Sequence, residues 1–137
     1  MNMIYREYIS VEDYNKLREA VGWGSLCEEQ ARAGLNNSAY VISCYDGEKT
    51  IGTARVIWDG GYIAYLSDVM VLPECQGLGY GKQMVLRAIQ YMKSQLKPNW
   101  KIKLVLLAAK DKEKFYEKFG FQERPNKQAG AGMEMWL

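Results

Sequence analysis

Apolar residues recur along this chain with two different periods, and the switches between them outline its elements. Val11, Tyr14, Leu17 and Val21 lie three or four residues apart, which is the spacing of one helix face. Just ahead of them, SVED (10–13) offers a hydroxyl N-cap and a carboxylate three residues on, the form of a capping box. SLCE (25–28) repeats that start signal and predicts a short second helix to about Leu35, with VGWG (21–24) as the bend between the two. Ile4–Ile9 reads as a first strand.

The period then changes. Ala39–Tyr45, Thr50–Trp58 and Tyr62–Leu72 are rich in β-branched and aromatic residues. DG (46–47) and DGG (59–61) separate them, so three antiparallel strands are expected. From Tyr80 to Leu96 the helical period returns, with Met84, Val85, Ala88, Ile89 and Met92 on one face, and Pro98 ends the segment. Lys101–Ala109 reads as a strand. Because it follows a crossover helix, it should run parallel to Tyr62–Leu72. Asp111 is placed to cap a last helix carrying Phe115, Tyr116 and Phe119, closed by Gly120. Ala131–Leu137 is expected as a final strand. The fold class that follows is α+β: one mixed, mostly antiparallel sheet with a single parallel crossover and about four helices.

Composition narrows the function. The 137 residues fit one domain, 1–137, long enough to bury roughly two-thirds of the unfolded surface. Lysine and arginine number 18 against 16 acidic residues, a balance that gives no reason to expect a nucleic-acid or membrane-surface partner. There is no histidine, so the usual zinc sets and histidine-based triads are excluded and no metal site is expected. Cys27, Cys44 and Cys75 form no CxxC pair and read as reduced thiols of a cytoplasmic protein. The opening MNMIYREYIS carries charges and no apolar core, so no signal peptide is expected.

The chemistry lies in QGLGYGK (76–82), between the third strand of the meander and the long helix. Backbone N–H groups at a helix start point outward and favour anions, and glycines let a phosphate come close. Walker A is excluded because Gln83 follows Gly81-Lys82 where Ser or Thr is required, and because Gln76 stands where the first glycine belongs. The dinucleotide fingerprint GxGxxG is excluded by the G-x-G-x-G spacing and by the meander ahead of it. The pattern Q-x-x-G-x-G after a strand ending in V-x-P fits throughout, as Val71-Leu-Pro73 and then Gln76 to Gly81.

On these residues, and on AAKDKEKFYEKFGF (108–121), the chain resembles the GNAT superfamily of N-acetyltransferases over nearly its whole length. The resemblance implies a sheet splayed open at its centre with acetyl-CoA in the gap. Gly77, Leu78, Gly79, Tyr80, Gly81 and Lys82 would bind the pyrophosphate, with Gln76 bracing the loop. Val69, Met70 and Val71 would offer backbone groups to the pantetheine arm. A backbone N–H at a strand bulge, from Val69 or Met70, would meet the developing oxyanion, and Tyr116 would donate a proton to the leaving sulfur. Members often carry an asparagine after the Lys101–Ala109 strand. Ala108-Ala109-Lys110 stands there in this chain, so Lys110 could supply charge instead.

With no histidine, Asp68 is the first candidate base, since a carboxylate in an apolar strand should face the cleft. It would act through a water or hold a cationic amine, against the alternative of a salt-bridged structural aspartate. Tyr116 likewise has an alternative as packing. Trp23, Glu28 and Tyr65 are candidates for the acceptor side, with Tyr40 and Trp136 as further members of an aromatic wall for an amine. The expected activity is acetyl transfer to a primary amine of a small molecule by direct attack in a ternary complex. The alternatives are a protein or peptide N-acetyltransferase and a non-catalytic acyl-CoA-binding module. Homodimers are frequent among family members.

Overall fold

The structure, a computed structural model, describes residues 3–137. Strand β1 (Met3–Arg6) is followed by helices α1 (Val11–Ala20) and α2 (Glu28–Asn36). Strands β2 (Tyr40–Asp46), β3 (Lys49–Trp58) and β4 (Ile63–Val71) come next, then a 3-10 turn at Pro73–Cys75 and helix α3 (Tyr80–Ser94). The last elements are β5 (Lys103–Val105) and α4 (Glu113–Glu117). The five strands lie side by side in chain order, antiparallel except for β5, which runs parallel to β4. The architecture is therefore the mixed α+β sheet that the pattern predicts. The chain forms two compact units, one ending at Val105 and one of Leu106–Leu137.

In the first unit, strand alternation gives the sheet two apolar faces. Met84, Val85, Ala88 and Met92 of α3 are buried on the side that carries Ile42, Cys44, Ala54, Val56, Ala64 and Leu66. On the other side Ile9, Tyr14, Leu17, Ala31 and Met70 form a core between α1, α2 and the sheet. Ser10 caps α1 as expected, accepting from the Asp13 N–H at 3.0 Å. The Asp13 carboxylate does not reach back to complete the box. It accepts from the Thr50 hydroxyl at 2.9 Å and ties α1 to β3.

Several boundaries differ from the sequence pattern. Helix α2 begins at Glu28 after Cys27, and Ser25 caps nothing with its side chain. Instead the Ser25 N–H donates to Glu19 of α1 at 2.7 Å. Strand β5 is three residues long rather than nine, because its ladder with β4 covers only Ile63–Tyr65 against Lys103–Val105. The sheet therefore opens beyond Tyr65. Residues 131–137 are not a strand, since no described strand pairs with them.

In the second unit α4 spans five residues. Asp111 does not cap it. Lys112 holds that position, and Asp111 adopts a left-handed φ of 66° in the preceding turn. Phe115 meets Tyr116 edge-on at 4.9 Å and Phe119 at 5.2 Å, while Phe121 closes on Tyr116 at 6.1 Å. In the following loop Arg124 Nε donates to the Gly130 carbonyl at 2.6 Å and the Asn126 N–H to the Ala129 carbonyl at 2.9 Å.

Gly52 is where β3 and β4 come too close for any side chain. A Cβ there would lie 2.6 Å from the Met70 carbonyl oxygen, 2.9 Å from Met84 Cε and 3.3 Å from Val71 Cγ2. The methionine end could swing aside, whereas the carbonyl is fixed in the strand. Gly52→Ala should therefore cost about 1–3 kcal/mol, as overpacking does, read as a lower urea midpoint with an unchanged slope. An unaltered midpoint would show that β4 yields freely at Met70.

Candidate active site

The middle of β4 departs from regular pairing. Arg55 of β3 stands opposite Ser67 and Thr53 opposite Met70, so Ala54 faces both Asp68 and Val69. This is a β-bulge, one extra residue in β4. It keeps Ser67 and Met70 on one face although they are three apart. The backbone at Asp68 accommodates it with φ 54°, a left-handed conformation uncommon for any residue but glycine and most accessible to Asn and Asp. The bulge lies where the β4–β5 ladder has ended, so among the described strands Leu66–Val71 is paired only on the β3 side.

Asp68 is not free at this bulge. Tyr14 of α1 donates its hydroxyl to Asp68 Oδ2 at 2.6 Å, and Arg55 Nε donates to the same oxygen at 2.6 Å. Arg18 Nη1 stands 3.9 Å from the other oxygen. The Asp68 and Arg18 side chains are each 11% exposed and that of Arg55 16% exposed, so solvent screens these charges little. The group reaches further. Arg55 Nη1 also donates to the Gly34 carbonyl at 3.2 Å and Ser38 Oγ at 3.1 Å, at the end of α2. Arg18 Nε donates to the Gly24 carbonyl at 2.8 Å in the α1–α2 bend. Burial, and then the Asp68 carboxylate it binds, push the Tyr14 phenol above its ordinary value, so this hydroxyl stays a donor at neutral pH.

A carboxylate holding two arginines and a phenol suits an anchor better than a proton acceptor, the alternative left open for Asp68. Tyr14, Arg18 and Arg55 were missed in the sequence, although one signal was there. Arg55 and Asp68 are lone opposite charges in neighbouring apolar strands, and pairing about the 59–61 turn sets them side by side.

After β4 the chain turns through Pro73–Cys75 into the glycine loop. Gln76 Nε2 donates to the Val71 carbonyl at 3.0 Å, tying the loop to the end of β4. Gly77 has φ 80° and Gly79, the N-cap of α3, φ 92°. No atom lies within 4 Å of where a Cβ would sit at either, so the glycines serve their backbone conformation and leave open space above it. Tyr80, Gly81 and Lys82 form the first turn of α3, which has no acidic residue and no capping side chain, while Leu78 is 60% exposed. A positive helix end, an open glycine surface and a nearby lysine suit a phosphate group. Val69, Met70 and Val71 lie on the strand leading into this loop, with the Met70 side chain buried.

The acceptor-side candidates are less gathered. Trp23 is 43% exposed in the α1–α2 bend, with the Arg18 guanidinium 5.8 Å from its ring. Glu28 opens α2, is ion-paired with Arg32, and helps line a surface hollow of about 590 Å³ along α1 with Asn15 and Glu19. Tyr65 is half-buried in β4, in register with Ile57 and Val105. Tyr40 does not join them. It registers with Val56 and so with Leu66, on the sheet face opposite to Tyr65, where its ring stacks on Tyr91 of α3 at 4.6 Å. In the second unit Tyr116 is buried in the aromatic group of α4, whereas Trp136 is 88% exposed and Lys110 is exposed in a turn.

Within this α+β domain a bulged strand runs into a glycine loop at the start of a helix with no side-chain cap. The family model described as "Acetyltransferase (GNAT) domain" matches residues 37–123, more than half of the chain. The chain belongs to the GNAT family of acetyltransferases and is by that membership an acyltransferase. It is 32% identical over 122 residues to an uncharacterised N-acetyltransferase, ycf52, of Pyropia yezoensis, covering 86% of this chain and 68% of that protein. Matches to a histone acetyltransferase of Glycine max (29%; 85% of this chain, 54% of that protein) and a chloroplastic serotonin N-acetyltransferase of Oryza sativa (28%; 86% and 59%) are weaker. Among solved structures, a probable acetyltransferase of unknown function from meticillin-resistant Staphylococcus aureus superposes with a TM-score of 0.87. It shares 30% identity, with 99% of this chain and 100% of that one covered. No helix among the described residues is long and apolar enough to cross a membrane.

Proposed function

We propose that this chain moves the acetyl group of acetyl-CoA to a primary amine on a small molecule, by direct attack while both substrates are bound. The observation that carries the reading is the continuous run from the β4 bulge through the braced glycine loop to the start of α3. In this reading residues 76–82 hold the pyrophosphate and Val69–Val71 pair with the pantetheine arm as an added strand would. The amine nitrogen forms a bond to the acetyl carbon as the carbon–sulfur bond breaks. A backbone N–H at the bulge, from Val69 or Met70, faces the charge gathering on the carbonyl oxygen. The Tyr116 phenol gives its proton to the departing sulfur, and the proton lost by the amine passes to water. Asp68, with its oxygens engaged, is not carried forward as the base.

Direct attack is supported at one of the three thiols, Cys44. Burial pushes the Cys44 thiol up to about 11, so it has almost no thiolate with which to form an acyl-enzyme at neutral pH. All three thiols are free, which fits a reducing compartment such as the cytoplasm. The acceptor is assigned to the α1–α2 side, where Trp23 is exposed and Glu28 and Tyr65 stand on neighbouring elements. A small amine is supported by the relative named for serotonin. A protein substrate is the second reading, favoured by the relative named for histone.

The test is amine-dependent release of CoA thiol from acetyl-CoA across aralkylamines, polyamines, amino sugars, amino acids and short peptides. Turnover of a small amine at kcat/KM at least tenfold above any peptide is expected. Turnover confined to peptides would hand the assignment to the second reading, and no turnover with any acceptor would sink both.

A further inference from the structure

We propose that Tyr14 and Arg55 are positioning residues of the transfer, acting through Asp68 to hold the β4 bulge in the one conformation that presents its backbone N–H groups. This rests on the acetyl-transfer reading just given, and it assigns a role to residues that neither the motifs nor the resemblance singles out.

Three observations support it. First, the bulge stands in a conformation that a strand does not hold by itself, because Asp68 at φ 54° lies in a region where non-glycine backbone is strained. Second, the side chain of that same residue accepts two hydrogen bonds of 2.6 Å from groups that are themselves fixed. Tyr14 is 3% exposed in the α1 core, and Arg55 is tied to the end of α2 through Gly34 and Ser38. Third, the extra residue lies where β4 has lost β5 as a neighbour, so among the described strands no second ladder fixes it. The Asp68 carboxylate is the link that replaces the missing strand. Arg18 adds a weaker tie from the α1–α2 bend to the same carboxylate. The layer expected to receive the amine and the bulge expected to meet the thioester are thus mechanically one piece.

The prediction concerns rate rather than affinity, since small misplacements of preorganised donors cost far more in the transition state than in substrate binding. Tyr14→Phe removes one oxygen and keeps the ring in its core. Arg55→Lys keeps the charge and loses the fork, and Asp68→Asn keeps tolerance of the left-handed backbone and loses the charge. Tyr14→Phe should lower kcat about tenfold, with KM for acetyl-CoA within about twofold of wild type. Arg55→Lys should fall between wild type and Arg55→Met. Native-state hydrogen exchange reads the same clamp without turnover. In Tyr14→Phe the amides of residues 68–71 should exchange at least about tenfold faster, while those of the β2–β3 pair stay unchanged.

Unchanged exchange at residues 68–71, or equal acceleration throughout the sheet, would overturn the clamp. Faster local exchange with kcat intact would overturn its part in catalysis. Loss of turnover in Asp68→Asn alone, with Tyr14→Phe and Arg55→Lys at wild-type rates, would make Asp68 a base and overturn the proposal. If the wild type turns over no amine, the acetyl-transfer reading fails, and with it the catalytic part of this proposal. The clamp is then upheld or overturned by the exchange result.

Discussion

Tyr116→Phe should lower kcat by about a hundredfold or more. Phenylalanine preserves the ring that Phe115 and Phe121 pack against edge-on, so the aromatic group of α4 keeps its shape. Only the hydroxyl goes. In the proposed reaction a phenolic hydroxyl set against the departing sulfur hands over its proton as the carbon–sulfur bond breaks. Positioned acids of this kind contribute about 10²–10⁴ in rate. KM for acetyl-CoA should stay within a factor of about two, because the phenol is asked to act on the leaving group and not on the phosphates. Steady-state kinetics of the purified variant decides the matter. A kcat within threefold of wild type would leave water to protonate the sulfur and reduce Tyr116 to a packing residue.

The second large effect is on stability. Asp68→Ala should destabilise the protein by about 3–5 kcal/mol, the usual consequence of removing one partner from a buried ion pair. Two arginine side chains, 16% and 11% exposed, would lose their shared counter-charge, and the Tyr14 hydroxyl would lose its acceptor. Alanine would also have to adopt φ 54°, which adds about 1–2 kcal/mol for a residue with a Cβ and no polar group to compensate. Against a total stability of about 5–15 kcal/mol, this brings the fold near its limit at 37 °C. Asp68→Asn should cost clearly less, since asparagine keeps an accepting oxygen and tolerates the left-handed backbone. Urea unfolding at neutral pH gives both numbers. An alanine variant within about 0.5 kcal/mol of wild type would mean that the arginines find other partners and that the clamp is not a structural tie.

The parts of this molecule that were legible in the sequence are those fixed by local chemistry. The meander followed from three β-rich runs and two Asp-Gly turns, and α1 from four apolar positions and Ser10. The parallel pairing of β5 followed from the crossover rule, and the loop from its glycines. What failed depended on neighbours distant in the chain. The Lys101–Ala109 run is apolar enough for a nine-residue strand, but a strand is only as long as the edge it pairs with, and β4 offers β5 three residues. Ala131–Leu137 met the same limit, having no described partner. Tyr40 was placed with the amine-facing aromatics because its side of the sheet depends on register, which composition does not carry.

Asp68 was the most instructive position. An acidic residue in an apolar strand drew notice to Asp68, yet the sequence alone left open whether its charge is used or neutralised. That depended on Arg55, thirteen residues earlier, and on Tyr14 and Arg18 in a helix whose docking no local pattern specifies.

The short β4–β5 ladder has one more consequence, for how the protein behaves in a tube. Among the described strands, Leu66–Val71 of β4 has a neighbour on one side only, and the sequence there, LSDVMV, is largely apolar. An open strand edge of this composition is a template for any other extended chain, including a second copy of itself. Its intended occupant would be the pantetheine arm. Protein stripped of ligand should therefore cross-associate and precipitate as it is concentrated, and coenzyme A added back should act as a solubilising agent. If the proposed site is right, occupancy by substrate and resistance to aggregation are two readings of the same six residues.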